Sequence, residues 1–506
     1  MAVIKIDNLG TVGIISDVAP SELSESAFNS ARNIAFRNGN VEPCRGYSAI
    51  YTPFGAGVAC GLLMMRTPDA LTRRVFFCTP TQIWKYTSAT AATDYTRETA
   101  SVKVPYTGTI YNKWTNFAFN GFAYFNNGVD EPQVYVDVAA YAPVLPLPGW
   151  TSTWRAKSLR PYKNAIIAMN MTEAGVNFPH LLRFSDTAAP GAQPASWTAL
   201  PTNKAGSVPM AESQGGIVDG LQLGDAFIIY KQDSYYRMTF IGGNDVYRIQ
   251  KINNCPGLLA PNCVVQYPGG HFCLGANLDV YVHNGGDYKS VLQGRRKENF
   301  RNALWPATKG LSFVTVDAER RECIVCFVGG SAGLGGATSC DTAWCWNWEE
   351  DTWSERDIPS VNAGTSGQLD NAILADPDTE FMVMTGQTRQ PFVFDAGLSF
   401  NGVAPSRFVR RDGLHFGDQL AIKTVRSFTP NIVGTSGDVF SIAITSQYNV
   451  DGPITSSASY NFILGTSVQV PVIKTGRYLG YNITYTGANI WKLRSVQFEV
   501  EPRGRY

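Results

Sequence analysis

The sequence predicts an all-β protein: a β-propeller of about six or seven blades with an additional β-rich platform formed by the N-terminal arm and the C-terminal β-domain. Helical periodicity is nearly absent from the 506 residues. A short unit recurs instead, in which a β-rich run, a polar turn and an aromatic-rich run follow one another. Its spacing of roughly 45–60 residues is the length of a four-stranded blade. Aromatic residues make up 12% of the chain, beside 48 glycines and 28 prolines, which favours many short strands and turns.

The repeated unit is recognised by its composition, because the repeats share no strict consensus. Each copy joins apolar and aromatic residues around Gly, Asn or Asp turns, as strands of a blade do. The copies lie at 74–86, 116–136, 164–186, 225–240, 270–291, 322–355 and 380–395.

The N-terminal arm, residues 1–50, is predicted to contain one helix and one hairpin. "PSELSESAFNSAR" (20–32) predicts a helix, with Ser21 as its cap and Glu22 and Glu25 in the first turns. "NIAFRNGNVEPCRGY" (33–47) predicts a hairpin whose Asn38-Gly39 turn is of type I′, because both central residues of that turn need positive φ.

Two domains are predicted to follow the arm. Residues 51–417 form the propeller with loop insertions, among them the Pro-rich stretch 137–160. The composition shifts near residue 400, and 418–506 alternates in longer strands, which indicates a small sandwich or sheet edge that can pair with the N-terminal hairpin.

Charge and hydrophobicity limit the classes of function that the protein can have. Lys and Arg total 42 against 41 Asp and Glu, whereas a protein that grips nucleic acid tightly usually carries a basic excess. No signal peptide follows Met1, and no apolar stretch approaches the ~18 residues of a membrane span. The ten cysteines are therefore expected to stay reduced, as in a cytosol.

The sequence contains no recognisable catalytic or metal-binding motif. Cys323 and Cys326 form a C-x-x-C pattern, with Cys340 and Cys345 close behind, but in a strand positions i and i+3 point to opposite faces. Structural thiols are therefore predicted. The glycine-rich stretch 329–339 lacks the Lys-Ser/Thr of a phosphate-binding loop. Four tryptophans could stack on sugars or pack between blades: Trp344, Trp346, Trp348 and Trp353.

Two modest basic clusters are candidates for contact with DNA phosphates, and the alternative uses of such residues are solvated loops or ion pairs with a neighbouring subunit. The first contains Arg295, Arg296, Lys297 and Arg301, and the second contains Arg407, Arg410 and Arg411.

Several segments, in order along the chain, resemble the tail nozzle (tail hub) proteins of short-tailed bacteriophages. "GIISDVAPSELSESAFNSARNIAFRNGNVEPCRGY" (13–47) resembles their N-terminus. Asn127, Gly128, Asp130 and Pro132 match their N-G-x-D-x-P blade turn. "LLRFSDTAAPGAQPASW" (181–197) and the last 32 residues (475–506) are similar to further segments of the family.

The resemblance implies a structural protein of the virion tail, present in the host cytoplasm during assembly, with no enzymatic activity and no cofactor or metal. Such proteins form a ring, usually a hexamer, below the tail adaptor, where they hold back the genome and then conduct it during ejection. Further expected partners are tail fibre, spike or needle proteins and, transiently, double-stranded DNA. The chief alternative is a propeller that binds or cleaves glycans, such as a tail spike or a sialidase-like enzyme.

The hairpin would then belong to the platform that contacts neighbouring subunits and the adaptor. The side chains expected at this interface are Phe36, Arg37, Asn38, Gly39, Arg45 and Tyr47. The residues expected to face the lumen and DNA are Arg295, Arg296, Lys297, Arg410 and Arg411.

Overall fold

A computed structural model describes almost the whole chain, and nearly all regular structure in it is β. The described ranges are 2–66, 73–136, 144–243, 245–254, 256–329, 338–369, 380–394 and 397–505. Within them the helices are one α-helix, Lys297–Ala303, and two 3₁₀ turns, Pro20–Glu22 and Pro306–Leu311.

Five separate four-stranded antiparallel sheets follow one another along the chain, and each is a propeller blade. Blade 1 contains Gly61–Arg66, Arg73–Cys78, Ile83–Ser88 and Ala91–Asp94. A small two-stranded ribbon, Glu98–Thr99 with Val102–Lys103, connects it to blade 2. Blade 2 contains Phe117–Phe119, Phe122–Phe125, Gln133–Tyr135 and Leu145–Pro146. Blade 3 contains Arg155–Tyr162, Ala165–Glu173, Val176–Phe184 and Gly206–Pro209. Blade 4 contains Ile217–Leu223, Ala226–Lys231, Ser234–Phe240 and Tyr247–Asn254, and blade 5 contains Val264–Tyr267, Gly270–Leu274, Val280–His283 and Lys289–Ser290.

The last two blades share one long strand, Thr352–Gln368. Its first half pairs with the strand before it and its second half pairs with the strand after it. The strand is therefore the outer strand of blade 6 and the inner strand of blade 7. Blade 6 begins with Phe313–Asp317, Glu322–Phe327 and Cys340–Asn347; blade 7 continues with Glu380–Gly386, Phe392–Phe394 and, from the N-terminal arm, Tyr47–Ala49.

The seven blades close into a ring. The inner strand of each blade contacts that of the next, and the second half of Thr352–Gln368 contacts Gly61–Arg66 of blade 1. Each of the seven aromatic-rich units of the sequence falls on one blade. The prediction of a propeller is confirmed, and the number of blades is seven.

The N-terminal arm and the C-terminal strands together form a sandwich of two sheets with a common apolar core. Phe28 and Phe36 of the arm pack there with Phe428, Tyr481 and Phe498. In order across the first sheet lie Ile34–Arg37, Asn40–Pro43, Lys492–Arg505, Ala421–Val433 and Val470–Gly476, with Ala2–Asp7 on Lys492–Arg505. Across the second lie Ser30–Arg32, Ser406–Leu414, Tyr478–Thr486, Val439–Gln447 and Thr455–Ser456, with Tyr460–Ile463 on Val439–Gln447.

The predicted hairpin is present, but the predicted helix is wrong. Asn38 and Gly39 have φ of 50° and 69°, as the type I′ turn requires. Between 20 and 32 only Pro20–Glu22 is helical, and Ser30–Arg32 is a strand paired with Ser406–Leu414. Burial of Phe28 and Ala31 against the second sheet outweighs the weak helical propensity of this segment.

The domain limits differ slightly from those expected. Tyr47–Ala49 belongs to blade 7 although it lies in the predicted arm, and Ser406–Leu414 belongs to the sandwich although it lies in the predicted propeller. In the stretch 137–160, which was expected to be a loop, Leu145–Pro146 is the outer strand of blade 2 and Arg155 begins blade 3.

Candidate functional site

The hairpin joins the sandwich to blade 6 of the propeller. Arg37 forms an ion pair of 2.5 Å with Glu322. The backbone N–H of Asn38 donates to Glu350 Oε1 over 2.6 Å, and Thr352 donates to the carbonyl of Phe36. These contacts tie the hairpin to its own chain.

A buried amide reinforces the same junction. Asn33 donates to Asp357 Oδ2 over 2.6 Å and accepts from the Asp357 N–H over 2.8 Å. Arg32 binds the other carboxylate oxygen at 2.6 Å. Asn33 has φ of 57°, a conformation that Asn tolerates better than most residues.

The predicted interface residues therefore divide into two groups. Phe36 is 2% exposed in the sandwich core, and Tyr47 is buried among Phe392, Phe394 and Phe400 of the propeller side. These two side chains stabilise the chain's own fold. Asn38 is exposed, and Arg37, Gly39 and Arg45 are partly exposed; for these four, contact with a partner stays a prediction.

The first basic cluster is neutralised within the chain. Arg296 is buried beneath blade 6, where it pairs with Glu355 and its guanidinium carbon lies 3.7 Å from the Trp344 ring centroid. The other members are paired as follows: Arg295 with Asp351 at 2.7 Å, Lys297 with Asp279 at 2.6 Å and Arg301 with Glu298 at 2.8 Å.

The second basic cluster is also internal. Arg411 is buried and donates to backbone carbonyls of the N-terminal arm, and Arg407 is buried and donates to Leu398 O and Gly487 O. Arg410 pairs with Asp412 at 2.6 Å and is 39% exposed. The members of both clusters thus make contacts within their own chain, whereas the alternatives expected from the sequence were solvated loops and ion pairs with a neighbouring subunit.

The N-G-x-D-x-P turn is a polar clamp between blades 1 and 2. Asn127 Oδ1 accepts from the Asp130 N–H at 2.9 Å, and Asn127 Nδ2 donates to the Asp130 carboxylate at 2.8 Å. The carboxylate also accepts from Thr107 N–H at 2.8 Å and from Arg97 at 3.0 Å. Burial alone would raise the pKa of Asp130, but these hydrogen bonds and the Arg97 charge lower it.

We expect Asp130→Ala to lower the free energy of unfolding by about 2–4 kcal/mol, because it leaves buried donors without an acceptor. The measurement is urea denaturation followed by tryptophan fluorescence. Asp225→Ala is the control, since the Asp225 side chain is fully exposed, and it should change stability by less than about 0.5 kcal/mol. Equal effects of the two substitutions would contradict the clamp.

The cysteines behave as buried apolar side chains. Cys323 and Cys326 pack into different cores on opposite faces of their strand, as the strand geometry predicts. Nine cysteines lie in the described ranges, and all are buried; burial raises the pKa of Cys60, Cys263 and Cys340 to about 12. Within those ranges no group of His, Cys, Asp and Glu is arranged to hold a metal ion. Most of the glycine-rich stretch, 330–337, lies outside the described residues.

The tryptophans that could stack on sugars, and the acidic turn of residues 349–351 beside them, make contacts within the chain. Trp344, Trp346 and Trp353 are buried in the core between blades 5 and 6, and Trp348 is partly buried against it. In the acidic turn, Glu349 pairs with Arg321, Glu350 binds the hairpin and Asp351 pairs with Arg295.

A polar channel of about 350 Å³ follows the propeller axis. It is lined by inner strands of blades 1, 3, 4, 5, 6 and 7 and by the residues before blade 2. Arg160 crosses from blade 3 to bind the fully buried Asp219 of blade 4 with two hydrogen bonds of 2.9 and 2.6 Å, and it donates to Asn262. This bidentate pair fixes neighbouring blades at the channel wall.

The segment before blade 2 reaches across the propeller axis. Lys113 is buried, and its Nζ donates to Leu311 O at 2.5 Å, while Asn362 O lies at 3.4 Å. Lys113 therefore spans the axis from the connection between blades 1 and 2 to blades 6 and 7. Burial lowers its pKa, against the opposing influence of the surrounding thiols.

A second cavity of about 350 Å³, here called the entrance pocket, lies at the end of the propeller where the inner strands begin. Its lining is Tyr111, Asn112, Lys113, Asn127, Gly128, Lys157, Asn170, Thr172, Asn177 and Pro261. Neither this lining nor that of the channel contains a carboxylate among the residues described. No motif in the sequence points to this pocket; the local signal is a lysine placed between Ala156 and Ser158 in an inner strand.

Comparison with solved structures shows similarity to other chains at low sequence identity. A catalytically inactive virginiamycin B lyase from Staphylococcus aureus is 10% identical with a TM-score of 0.39, covering 69% of this chain and 99% of the lyase. The WD40 β-propeller domain of Doa1 is 11% identical with a TM-score of 0.36, covering 69% and 97%. YCF48 bound to D1 peptide is 12% identical with a TM-score of 0.37, covering 71% and 97%.

The sequence matches no protein-family model and no curated protein. No helix in the part of the chain that the structure describes is long and apolar enough to cross a membrane. The chain is a seven-bladed β-propeller carrying a two-sheet sandwich built from both of its ends.

Proposed function

We propose that this protein is a structural subunit of a short, non-contractile phage tail: a nozzle ring below the tail adaptor that retains the packaged genome and conducts it during ejection. The observation that carries the proposal is the composite sandwich. Its two sheets interleave residues 2–43 with residues 406–505, and these are the two ends of the chain that resemble nozzle proteins. A platform of this kind supports a ring because it presents one continuous surface beside the propeller.

The sandwich also has an exposed aliphatic tip suited to contact between subunits. Three turns meet at one end of it, since a side chain placed at Gly434 would touch Leu464 and Trp491. Exposed aliphatic side chains on and beside these turns are Val433, Val439, Val468 and Ile490, at 48, 45, 82 and 54% exposure. Clustered exposed apolar groups of this kind are typical of interaction sites.

The charge distribution supports sliding contact with DNA better than tight binding. The net charge is +1, and both arginine-rich clusters are committed to partners inside the chain. Few unpaired cations then remain in these two clusters to contact DNA phosphates, so counterion release would contribute little to DNA binding. A conduit that must let DNA pass benefits from this weakness.

The test is the mass of the purified protein by light scattering, with and without the tail adaptor. We expect a ring near six times the 55.3 kDa subunit, alone or once the adaptor is added. Val468→Asp should reduce the ring, because burying a carboxylate in an apolar contact is costly. Val102→Asp, at a site 65% exposed on the propeller, is the matched control. A monomer in both conditions would contradict the proposal.

A further inference from the structure

The entrance pocket contains a cation without a partner. Lys157 is half-buried on the inner strand of blade 3 and lines the pocket. Among the residues that the structure describes, its ammonium group has no hydrogen-bond acceptor and no ion-pair partner. Asp219, the carboxylate whose charge acts on Lys157, is already bound by both arms of Arg160.

Burial makes this charge costly. It lowers the pKa of Lys157, and the attraction of Asp219 only partly offsets the loss of hydration. Lys113 also lines the pocket, but its ammonium group is bound to Leu311 O, and no carboxylate stands among the lining residues described. A pocket with one unpartnered cation and no anion among its described lining residues is electrostatically incomplete, and a bound oxyanion would compensate it.

The rest of the lining offers neutral polar groups. Asn112 accepts from Thr109 through Oδ1, while its Nδ2 has no acceptor within the described chain. Asn177 donates to Asn170 Oδ1 at 3.0 Å and to Thr172 Oγ1 at 3.1 Å, which holds the rim in place. Tyr111 is 50% exposed and offers a ring face. Amides for hydroxyl groups and an aromatic face for C–H groups suit a sugar.

We propose that the entrance pocket binds a monosaccharide unit carrying a carboxylate or phosphate, with Lys157 contacting the oxyanion, Asn112 a hydroxyl group and Tyr111 the apolar face of the ring. A cavity of about 350 Å³ lies at the lower end of the range for small-molecule sites, which fits one sugar unit. The inference is independent of ring formation, because every lining residue belongs to one propeller.

The test is ligand-observed NMR titration of the full-length protein with glucuronate, glucose 6-phosphate, glucose and inorganic phosphate. We expect saturable binding of the two charged sugars, with glucose and inorganic phosphate at least about tenfold weaker. Lys157→Gln should weaken the charged sugars about tenfold or more, since a hydrogen bond to a charged group is lost. Lys289→Gln is the matched control: an exposed strand lysine outside the pocket, which should leave binding unchanged.

Each other outcome overturns the proposal. Equal binding of the charged sugars to the wild type and to Lys157→Gln would show that the Lys157 ammonium group does not contact the ligand. Inorganic phosphate that binds as tightly as glucose 6-phosphate would show that the sugar ring contributes nothing. No binding of either charged sugar to the folded wild type, checked by its thermal unfolding, would exclude the ligand class. None of these results would bear on the mass of the ring, so the two proposals fail separately.

Discussion

Arg411→Met is expected to lower the free energy of unfolding by about 3–5 kcal/mol, because each buried carbonyl left without a donor costs roughly 1–3 kcal/mol. Arg411 is 1% exposed. It donates to Pro20 O at 2.8 Å, Leu23 O at 2.9 Å and Ser24 O at 3.2 Å, and it also binds Asp412 O. Pro20–Ser24 lies outside the strands, so sheet hydrogen bonds do not replace the guanidinium there, although Ser24 O keeps a second donor in the Ala27 N–H at 3.1 Å.

The neighbouring residue supplies the control. Arg410 has the same side chain on the same strand, but it is 39% exposed and, among the described residues, its side chain pairs with Asp412 alone. Arg410→Met should therefore cost less than about 1 kcal/mol. The measurement is urea denaturation followed by far-ultraviolet circular dichroism, with proteolysis of the 17–24 segment as a local probe. Equal losses in the two variants would refute the anchoring of the arm by Arg411.

The contrast between these two arginines shows what the sequence could and could not predict. "RFVRRDG" reads as a basic surface cluster, because sequence spacing says nothing about acceptors that arrive from residues 20–24. Arg296 is the same case: its partner Glu355 is 59 positions away. Long-range pairs of this kind decide whether a cation is free to bind DNA, and one sequence does not reveal them.

Local patterns were more informative. Asn38-Gly39 specified its turn correctly, because the need for positive φ is a property of the turn itself. The seven aromatic-rich units located the seven blades, since each carries apolar strands of one sheet. The helix predicted over 20–32 was wrong because its polar and apolar residues also suit an extended chain packed against Ser406–Leu414. The predicted interface and lumen roles depend on partners, and they stay predictions.

The entrance pocket could not be predicted for a related reason. Its lining comes from the connections before blades 2 and 5, the first three strands of blade 3 and a turn of blade 2. Lys157 and Asn112 are 45 positions apart, and only closure of the ring brings these segments together. A search for motifs of residues that are neighbours in the sequence cannot detect such a site.

Acid is expected to destabilise the protein well before its carboxylates are protonated, because blade 5 carries two buried neutral histidines that face blade 4. Burial lowers the pKa of His271 to about 4, against the opposing hydrogen bond to Gln222 O. Burial and then the charge of His271 lower the pKa of His283 to about 3. Tyr230 OH joins the two rings, at 2.7 Å from His271 Nδ1 and 2.6 Å from His283 Nε2.

The hydrogen bonds fix both histidines in the neutral form. Gly285 N–H donates to His283 Nδ1 at 3.0 Å, so the proton of His283 is on Nε2 and points to Tyr230. The Tyr230 hydroxyl then donates to His271 Nδ1, and His271 Nε2–H donates to Gln222 O at 2.9 Å. A second proton on either ring would place two donors face to face inside the core.

The direction of the pH effect follows from linkage. In the unfolded chain both histidines take up a proton near pH 6.5, whereas in the folded chain they do so only near pH 3–4. The stability is therefore present in full above pH 6.5 and is lost as the pH falls toward the folded values. Each histidine contributes about 1.4 kcal/mol per pH unit, so we expect a loss of about 4 kcal/mol between pH 6 and 4.5.

Urea denaturation at half-unit steps from pH 7 to 4.5 measures this slope. The window lies above the pKa of ordinary carboxylic acids, so groups such as Asp130, whose pKa is lowered, add their own effect mainly below about pH 4. His283→Gln should be less stable at pH 7. It should also lose stability more slowly toward pH 4.5, because its unfolded chain takes up one proton fewer than the wild type in this range. His415→Gln, in a partly exposed turn of the sandwich, should keep the wild-type slope. A wild-type stability that is flat from pH 6 to 4.5 would show that the His271–Tyr230–His283 chain is not held neutral in solution.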